Sequence, residues 1–176
     1  LFNDNIRDSI KGGTFNPYDK GFVSGNRNAA STLRRGIAGS VPHYQINDAK
    51  EACWAFEPTQ AVNYCEAHDN NTLWDKLCIS AKNDSEGVRI KMDKLAAAIV
   101  ILSQGMPFIQ LGQDFLRSKP RILKEGEAPN DVNIYSHDSY NAPDYTNSIK
   151  WNRKLEYKEV FEYYKALIRL RKGSPL

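Results

Sequence analysis

The 176-residue chain is 41% hydrophobic and 26% charged, enough apolar side chain for one core and too globular a composition for disorder. Its 24 basic and 21 acidic residues leave a net charge of +3, which offers no basic field for nucleic acid or an anionic membrane. No apolar run reaches the roughly 18 residues of a transmembrane helix, and Leu1 opens nothing like a signal peptide, an absence that carries no information if the natural chain begins upstream.

Asn3 to Lys11 mixes charge with Ile at helical spacing and is stopped by Gly12-Gly13; Asn16-Pro17 through Gly25 reads as a surface loop. Asn28 to Ile37 predicts a short helix with Leu33 and Ile37 four apart, closed by Gly39 and Pro42, and His43 falls in a solvent-exposed loop. Cys53, Cys65 and Cys78 are odd in number and lack a C-x-x-C spacing, so neither a zinc site nor a disulfide framework is expected. Reduced thiols lean weakly toward the cytoplasm, with secretion left open.

Val62 to Cys65 is a short apolar run that breaks into Glu66, His68, Asp69, Asn70 and Asn71, so polar groups gather just past a predicted buried strand. A carboxylate beside an imidazole there can grip vicinal hydroxyls and face positive charge as it develops. Leu73 and Leu77 open a helix that carries Trp74 and Asp75. Asn83 with Glu86 looks like a capping box for a helix running to about Gln104, with Val88, Met92, Leu95, Ile99 and Leu102 as the face laid on a sheet and Ala96 to Ala98 allowing close approach. Gly105 stops it, and Phe108 to Leu111 suits a parallel strand buried on both faces.

Gln113, Asp114 and Arg117 follow that strand and are expected to tie loops together through ion pairing, as are Glu66 and Asp75. Lys119 to Ser136 is a long charged connection. It leads to Ser139 to Asn147, where Tyr140, Asn141, Asp144, Tyr145 and Asn147 combine flat rings with short polar groups. A final helix is expected over Glu156 to Lys172, with Val160, Phe161, Tyr164, Leu167 and Ile168 on one stripe and Arg169, Arg171 and Lys172 complementing its end. Strand, loop, helix, strand is the repeating unit of an α/β barrel.

V-N-Y-C-E-A-H-D-N-N-T-L-W-D-K-L, from Val62 to Leu77, closely resembles the strand-seven region of type I pullulanases, α-glucan debranching members of glycoside hydrolase family 13 in the α-amylase superfamily. L-F-N-D-N-I-R-D-S-I-K-G (Leu1 to Gly12) is similar to the segment after their fifth strand, Gln104 to Lys119 to strand eight and its loop, and S-Y-N-A-P-D-Y-T-N to their S-Y-N-S-P-D-x-x-N loop. Asn70-Asn71 and Trp74-Asp75-Lys76 stand where isoamylase-type enzymes resemble H-D-G-F-T-L. Asp114 replaces the family's usual Glu, and Asp138 a common Asn.

The resemblance implies an α/β fold, the C-terminal part of a (β/α)8 TIM barrel, left incomplete because a whole barrel needs about 250 residues. Residues 1–176 would run from after strand five through helix eight, with a C-terminal β domain starting just after Ser174-Pro175. Asp69 would be the transition-state-stabilising carboxylate, with His68, Asn70, Asn71, Trp74, Tyr140, Asn141, Asp144 and Asn147 binding substrate. The family's nucleophile and acid/base phrases, resembling G-F-R-F-D and G-E-G-W, are absent. A parent enzyme would hydrolyse α-1,6 branch links in pullulan, amylopectin, limit dextrins or glycogen with retention; its expected partners are an α-glucan and the remaining domains of the same polypeptide. No cofactor is expected, although family members sometimes bind calcium, and no ligand set here is diagnostic. The rival readings are a noncatalytic glycan-binding or structural fragment, and a branching or transferase enzyme of the same superfamily.

Overall fold

The structure is a computed structural model that describes residues 1–46 and 53–174, so the expected domain seam at Pro175 lies outside the described residues. Two parallel strands, β1 (Val62–Asn63) and β2 (Met106–Pro107), pair with Val62 opposite Met106 and Asn63 opposite Pro107. Phe2 forms a parallel bridge to the other side of Val62. Three chain segments thus lie side by side in sequence order, joined by Asn3 N–H to Val62 O at 2.9 Å, Val62 N–H to Leu1 O at 2.8 Å and Phe108 N–H to Asn63 O at 2.8 Å.

Helices fill the rest: α1 (Asp4–Lys11), α2 (Ala30–Ile37), α3 (Leu73–Ser80), α4 (Glu86–Leu102), a single turn α5 (Asp144–Asn147), α6 (Asn152–Glu156) and α7 (Lys158–Gly173). The Asn3 side chain caps α1 by accepting from Ile6 N–H, and its amide also donates to Asn63 Oδ1 at 3.0 Å, so one residue starts the helix and fastens it to β1. Gly12 ends α1 at φ 92°, where a Cβ would meet Asp19 O at 2.2 Å; no other residue fits both demands. Thr72 caps α3 by accepting from Asp75 N–H.

The core has two parts. Ile6, Ile10, Leu33, Cys65, Leu73, Leu77, Ala96 and Val100 close the space between α1, α2, α3 and α4, and Trp74, Ala97, Ile101, Leu116, Val160, Tyr164 and Leu167 close that between α4 and α7. Each buried Leu or Ile contributes about 1.5–3 kcal/mol. Arg171 of α7 caps the far end of α4, donating to Ile101 O at 2.6 Å, Ser103 O at 2.7 Å and Gly105 O at 2.5 Å.

Four expectations change. The α4 cap is Ser85, whose hydroxyl accepts from Val88 N–H, rather than Asn83. The inward face of α4 is Asp93, Ala96, Ala97, Val100 and Ile101, rotated by one residue from the expected stripe, leaving Val88 and Leu95 exposed. Ala97 and Ala98 are where α7 packs, Ala96 faces α1 and α3, and Asp93 turns inward because the Tyr164 hydroxyl donates to it at 3.0 Å. The strand expected at Phe108 to Leu111 falls earlier, at Met106–Pro107, and is exposed, since among the described residues nothing pairs with its outer edge; Leu111, past its end, is also open to solvent. The final helix forms as expected, at Lys158–Gly173, preceded by the short α6 beyond Tyr157, but Ile168 of its stripe points outward.

Candidate active site

Just beyond β1 the backbone turns through His68, Asp69 and Asn70, the last at φ 60° in the left-handed region that Asn tolerates. His68 and Asp69 project into solvent side by side, with Nε2 and Oδ1 3.4 Å apart and side chains 86% and 76% exposed. They line a cleft of about 500 Å³ with Gln110 and Arg117 from beyond β2 and Ser139, Tyr140 and Asn147 from the expected ring-bearing loop. Segments distant in sequence therefore converge at the carboxyl ends of two parallel strands, the usual place for a ligand in α/β sheets.

Beneath the rim the anchoring is buried. Lys119 is 1% exposed, and its ammonium donates to His68 O at 3.0 Å, Asn70 O at 2.5 Å and Ser139 Oγ at 3.2 Å. Lys11, 2% exposed, donates to Asn71 O at 3.1 Å from the opposite side. Lys76 donates to Gly13 O and Asn16 O. Burial lowers the pKa of Lys76 and of Lys119 to about 8 and lowers that of Lys11 too. With these carbonyls drawn inward onto cations, the His68 and Asp69 side chains are left facing the cleft.

Glu66, 1% exposed, accepts Leu73 N–H at 2.5 Å; burial pushes its carboxyl up to about 7. Asp75, fully buried, accepts from Ser118 Oγ at 2.5 Å and Lys119 N–H at 2.8 Å, and burial raises its pKa. Both hold the turn and α3 in place, as expected, but through hydrogen bonds. Arg117 ties loops by donating to Leu111 O and Asn147 O, and among the described residues neither it nor Asp114 forms an ion pair. Gln113 is buried and donates to Cys65 Sγ and Tyr164 Oη, a packing role. With its amide turned so that the oxygen faces donors, Gln110 donates to Ala67 O at 2.7 Å and accepts His68 N–H at 3.1 Å.

Of the expected substrate contacts, His68, Asp69, Tyr140 and Asn147 meet at the cleft. The Asn147 side-chain amide is spent on Ser139 O and Ala142 O, so it shapes the loop that presents Tyr140, whose ring is 93% exposed. Asn70 faces a small hollow shared with Arg7, Tyr64 and Asp69. Burial and the hydrogen bond to Asp4 push the Tyr64 phenol there up to about 12. Asn71 is buried and borders a neighbouring cavity of about 580 Å³, walled by Phe15, Ile122, Tyr135 and Pro143. Asn141 and Asp144 are exposed on the loop but do not border the cleft. Trp74 is 7% exposed and packed in the α4–α7 core, with the Arg89 guanidinium 5.9 Å from its ring; it is a core residue and not a wall of the cleft. The buried lysines carried no sequence signal, because lysine is ordinarily a surface residue. Among the described residues no three His, Cys, Asp or Glu side chains converge as a metal site.

These features define an α/β segment carrying a polar, ring-flanked cleft at parallel strand ends. Along almost its whole length the chain is similar to pullulanases. The chain is 37% identical over 175 residues to the pullulanase of Bacillus subtilis strain 168, covering 99% of this chain and 22% of that protein. It is 26% identical to the Klebsiella pneumoniae pullulanase, covering 99% of this chain and 21% of that one. The crystal structure of the type I pullulanase of Bacillus subtilis strain 168, complexed with maltose, matches at a TM-score of 0.84 and 36% identity over 99% of this chain and 22% of that chain. That of the pullulanase from Bacillus acidopullulyticus matches at 0.80 and 38%, over 97% and 18%. No family model matches the chain. The chain spans about a fifth of the length of the curated relatives it matches.

Proposed function

We propose that this chain forms the carboxyl-terminal arc, residues 1–176, of a (β/α)8 barrel in an enzyme that hydrolyses α-1,6-glucosidic branch links with retention. The side-by-side order of Phe2, β1 and β2, all parallel, supports the arc. The observation that carries the reading is the exposure of His68 and Asp69 as neighbours at one strand end, opposite the open ring of Tyr140, in a chain similar to pullulanases along almost its whole length.

In this reading Asp69 accepts hydrogen bonds from ring hydroxyls of the glucose before the scissile bond, His68 holds a neighbouring hydroxyl, and Tyr140 offers a flat apolar face to a further sugar. The Asp69 contacts tighten as the ring flattens toward the oxocarbenium ion, so they act on the transition state more than on binding. Retention requires two further carboxyl groups about 5 Å apart across the bond. The sequence phrases that carry those groups in pullulanases are absent from these 176 residues, so the two carboxyl groups that cleave the bond are not among those lining this cleft.

The test is an assay of the full-length polypeptide on pullulan, with maltotriose as the expected product and no transfer to maltose-type oligosaccharides. Asp69→Asn removes one carboxylate at the developing charge and lowers kcat by about 10²-fold or more. Turnover close to that of the parent removes Asp69 from the mechanism.

A further inference from the structure

The two walls of the cleft come from different parts of the chain: the turn His68 to Asn71 after β1, and the loop Ser139 to Asn147. Neither wall is held by the sheet, because β1 ends at Asn63. Arg117 and Gln110 link them in relay, from Asn147 O to His68 N–H, but the one side chain among the described residues that bonds directly to both is Lys119. Its ammonium reaches two carbonyls of the first wall, His68 O at 3.0 Å and Asn70 O at 2.5 Å, and the hydroxyl of Ser139 in the second at 3.2 Å.

Lys119 is itself fixed. Its backbone N–H donates to the buried Asp75 carboxylate at 2.8 Å, and its carbonyl accepts Ser136 N–H at 2.8 Å. An ammonium carries three donors in tetrahedral directions, and all three are used. With its side chain 1% exposed, water cannot substitute for these partners, and each lost contact leaves a buried polar group unsatisfied.

We propose that Lys119 is a positioning residue that sets the separation of the two cleft walls, and with it the placement of Asp69 against a glucan held at Tyr140. The charged groups facing its ammonium from the packed elements are Asp75 and Glu66, which favour the cation, and Arg117 and Lys11, which disfavour it. The kinetic part of this proposal rests on the debranching function; the coupling of the walls does not.

Amide hydrogen exchange on the full-length enzyme tests the coupling. Lys119→Met keeps the length of the side chain and removes its donors. It is expected to speed exchange about tenfold or more at His68 and Leu73 in one wall and at Ala142, Thr146 and Asn147 in the other, with Ile101 in α4 unchanged as the control for global opening. Ser139→Ala is expected to loosen the second wall alone. On pullulan, Lys119→Met should lower kcat about 10- to 100-fold, whereas Ser139→Ala should raise KM several-fold with kcat within about twofold.

In the double variant Ser139→Ala should add nothing to Lys119→Met, because the link is already gone. The proposal is overturned if Lys119→Met loosens one wall only, if the two substitutions are additive, or if Ser139→Ala leaves the second wall as protected as before. The last outcome remains decisive if Lys119→Met does not fold. An enzyme inert on pullulan with both walls loosened together overturns the debranching function and leaves the clasp standing.

Discussion

The Tyr164 hydroxyl donates to the Asp93 carboxylate at 3.0 Å across the α4–α7 interface, and both residues are at most 1% exposed. Burial raises the Asp93 pKa well above its ordinary value. Gln113 donates to the same hydroxyl at 3.2 Å, which links the loop after β2 to the helix pair.

Tyr164→Phe leaves Asp93 and Gln113 each short of a partner in a dry interior. The expected loss is about 1–3 kcal/mol of unfolding free energy. Urea denaturation of the two proteins measures it, and a difference near zero would mean that water enters the interface.

Glu66 gives a pH signature. Its carboxyl is raised by burial from 4.5 to about 7, so the folded state binds the proton more tightly than the unfolded chain. That contribution to stability is complete below 4.5 and is lost as pH rises through 7. Unfolding free energy should therefore fall over this window in the parent and fall less in Glu66→Gln, with a difference of order 3 kcal/mol. Denaturation curves at pH 4.5 and pH 7.5 for both proteins check the sign.

Trp74→Phe separates a core residue from a substrate contact. Since the indole packs among Ala97, Ile101 and Leu116, the substitution should cost about 1–3 kcal/mol of stability while leaving KM for pullulan unchanged. A rise in KM with stability intact would put the ring back at the cleft.

Gly12→Ala places a methyl against Asp19 O and imposes a positive φ on a residue with a Cβ. A loss of about 2 kcal/mol or more is expected, whereas Gly87→Ala, where a Cβ meets open space inside a helix, should gain roughly 0.5–1 kcal/mol. Thermal unfolding of the pair isolates the backbone effect.

Local rules read much of this chain correctly. Asn3 as a helix start, Gly12 as its stop and the polar turn after Val62 are all decided by nearest neighbours, and those are visible in sequence. The face of α4 is decided by α7, some 70 positions away through Tyr164 and Asp93, and periodicity alone placed it one residue off. Phe108 to Leu111 reads as doubly buried because its composition suits a central strand, yet burial depends on what pairs with its outer edge. Trp74 shares a motif string with His68 and Asp69, but the cap at Thr72 turns it into a helix that points its ring inward. The lysines under the turn are invisible for a different reason: a buried cation is tolerated only where several carbonyls converge, and convergence is a property of three dimensions.

The guanidinium of Arg171 binds three carbonyls at the point where α4 gives way to β2. The departure of the segment that runs through β2 to Gln110 and Arg117 at the cleft is consequently governed from the last helix, at the opposite pole of the chain. Change at that remote corner would be felt as a misaligned rim, with every residue that lines the cleft still in its original identity.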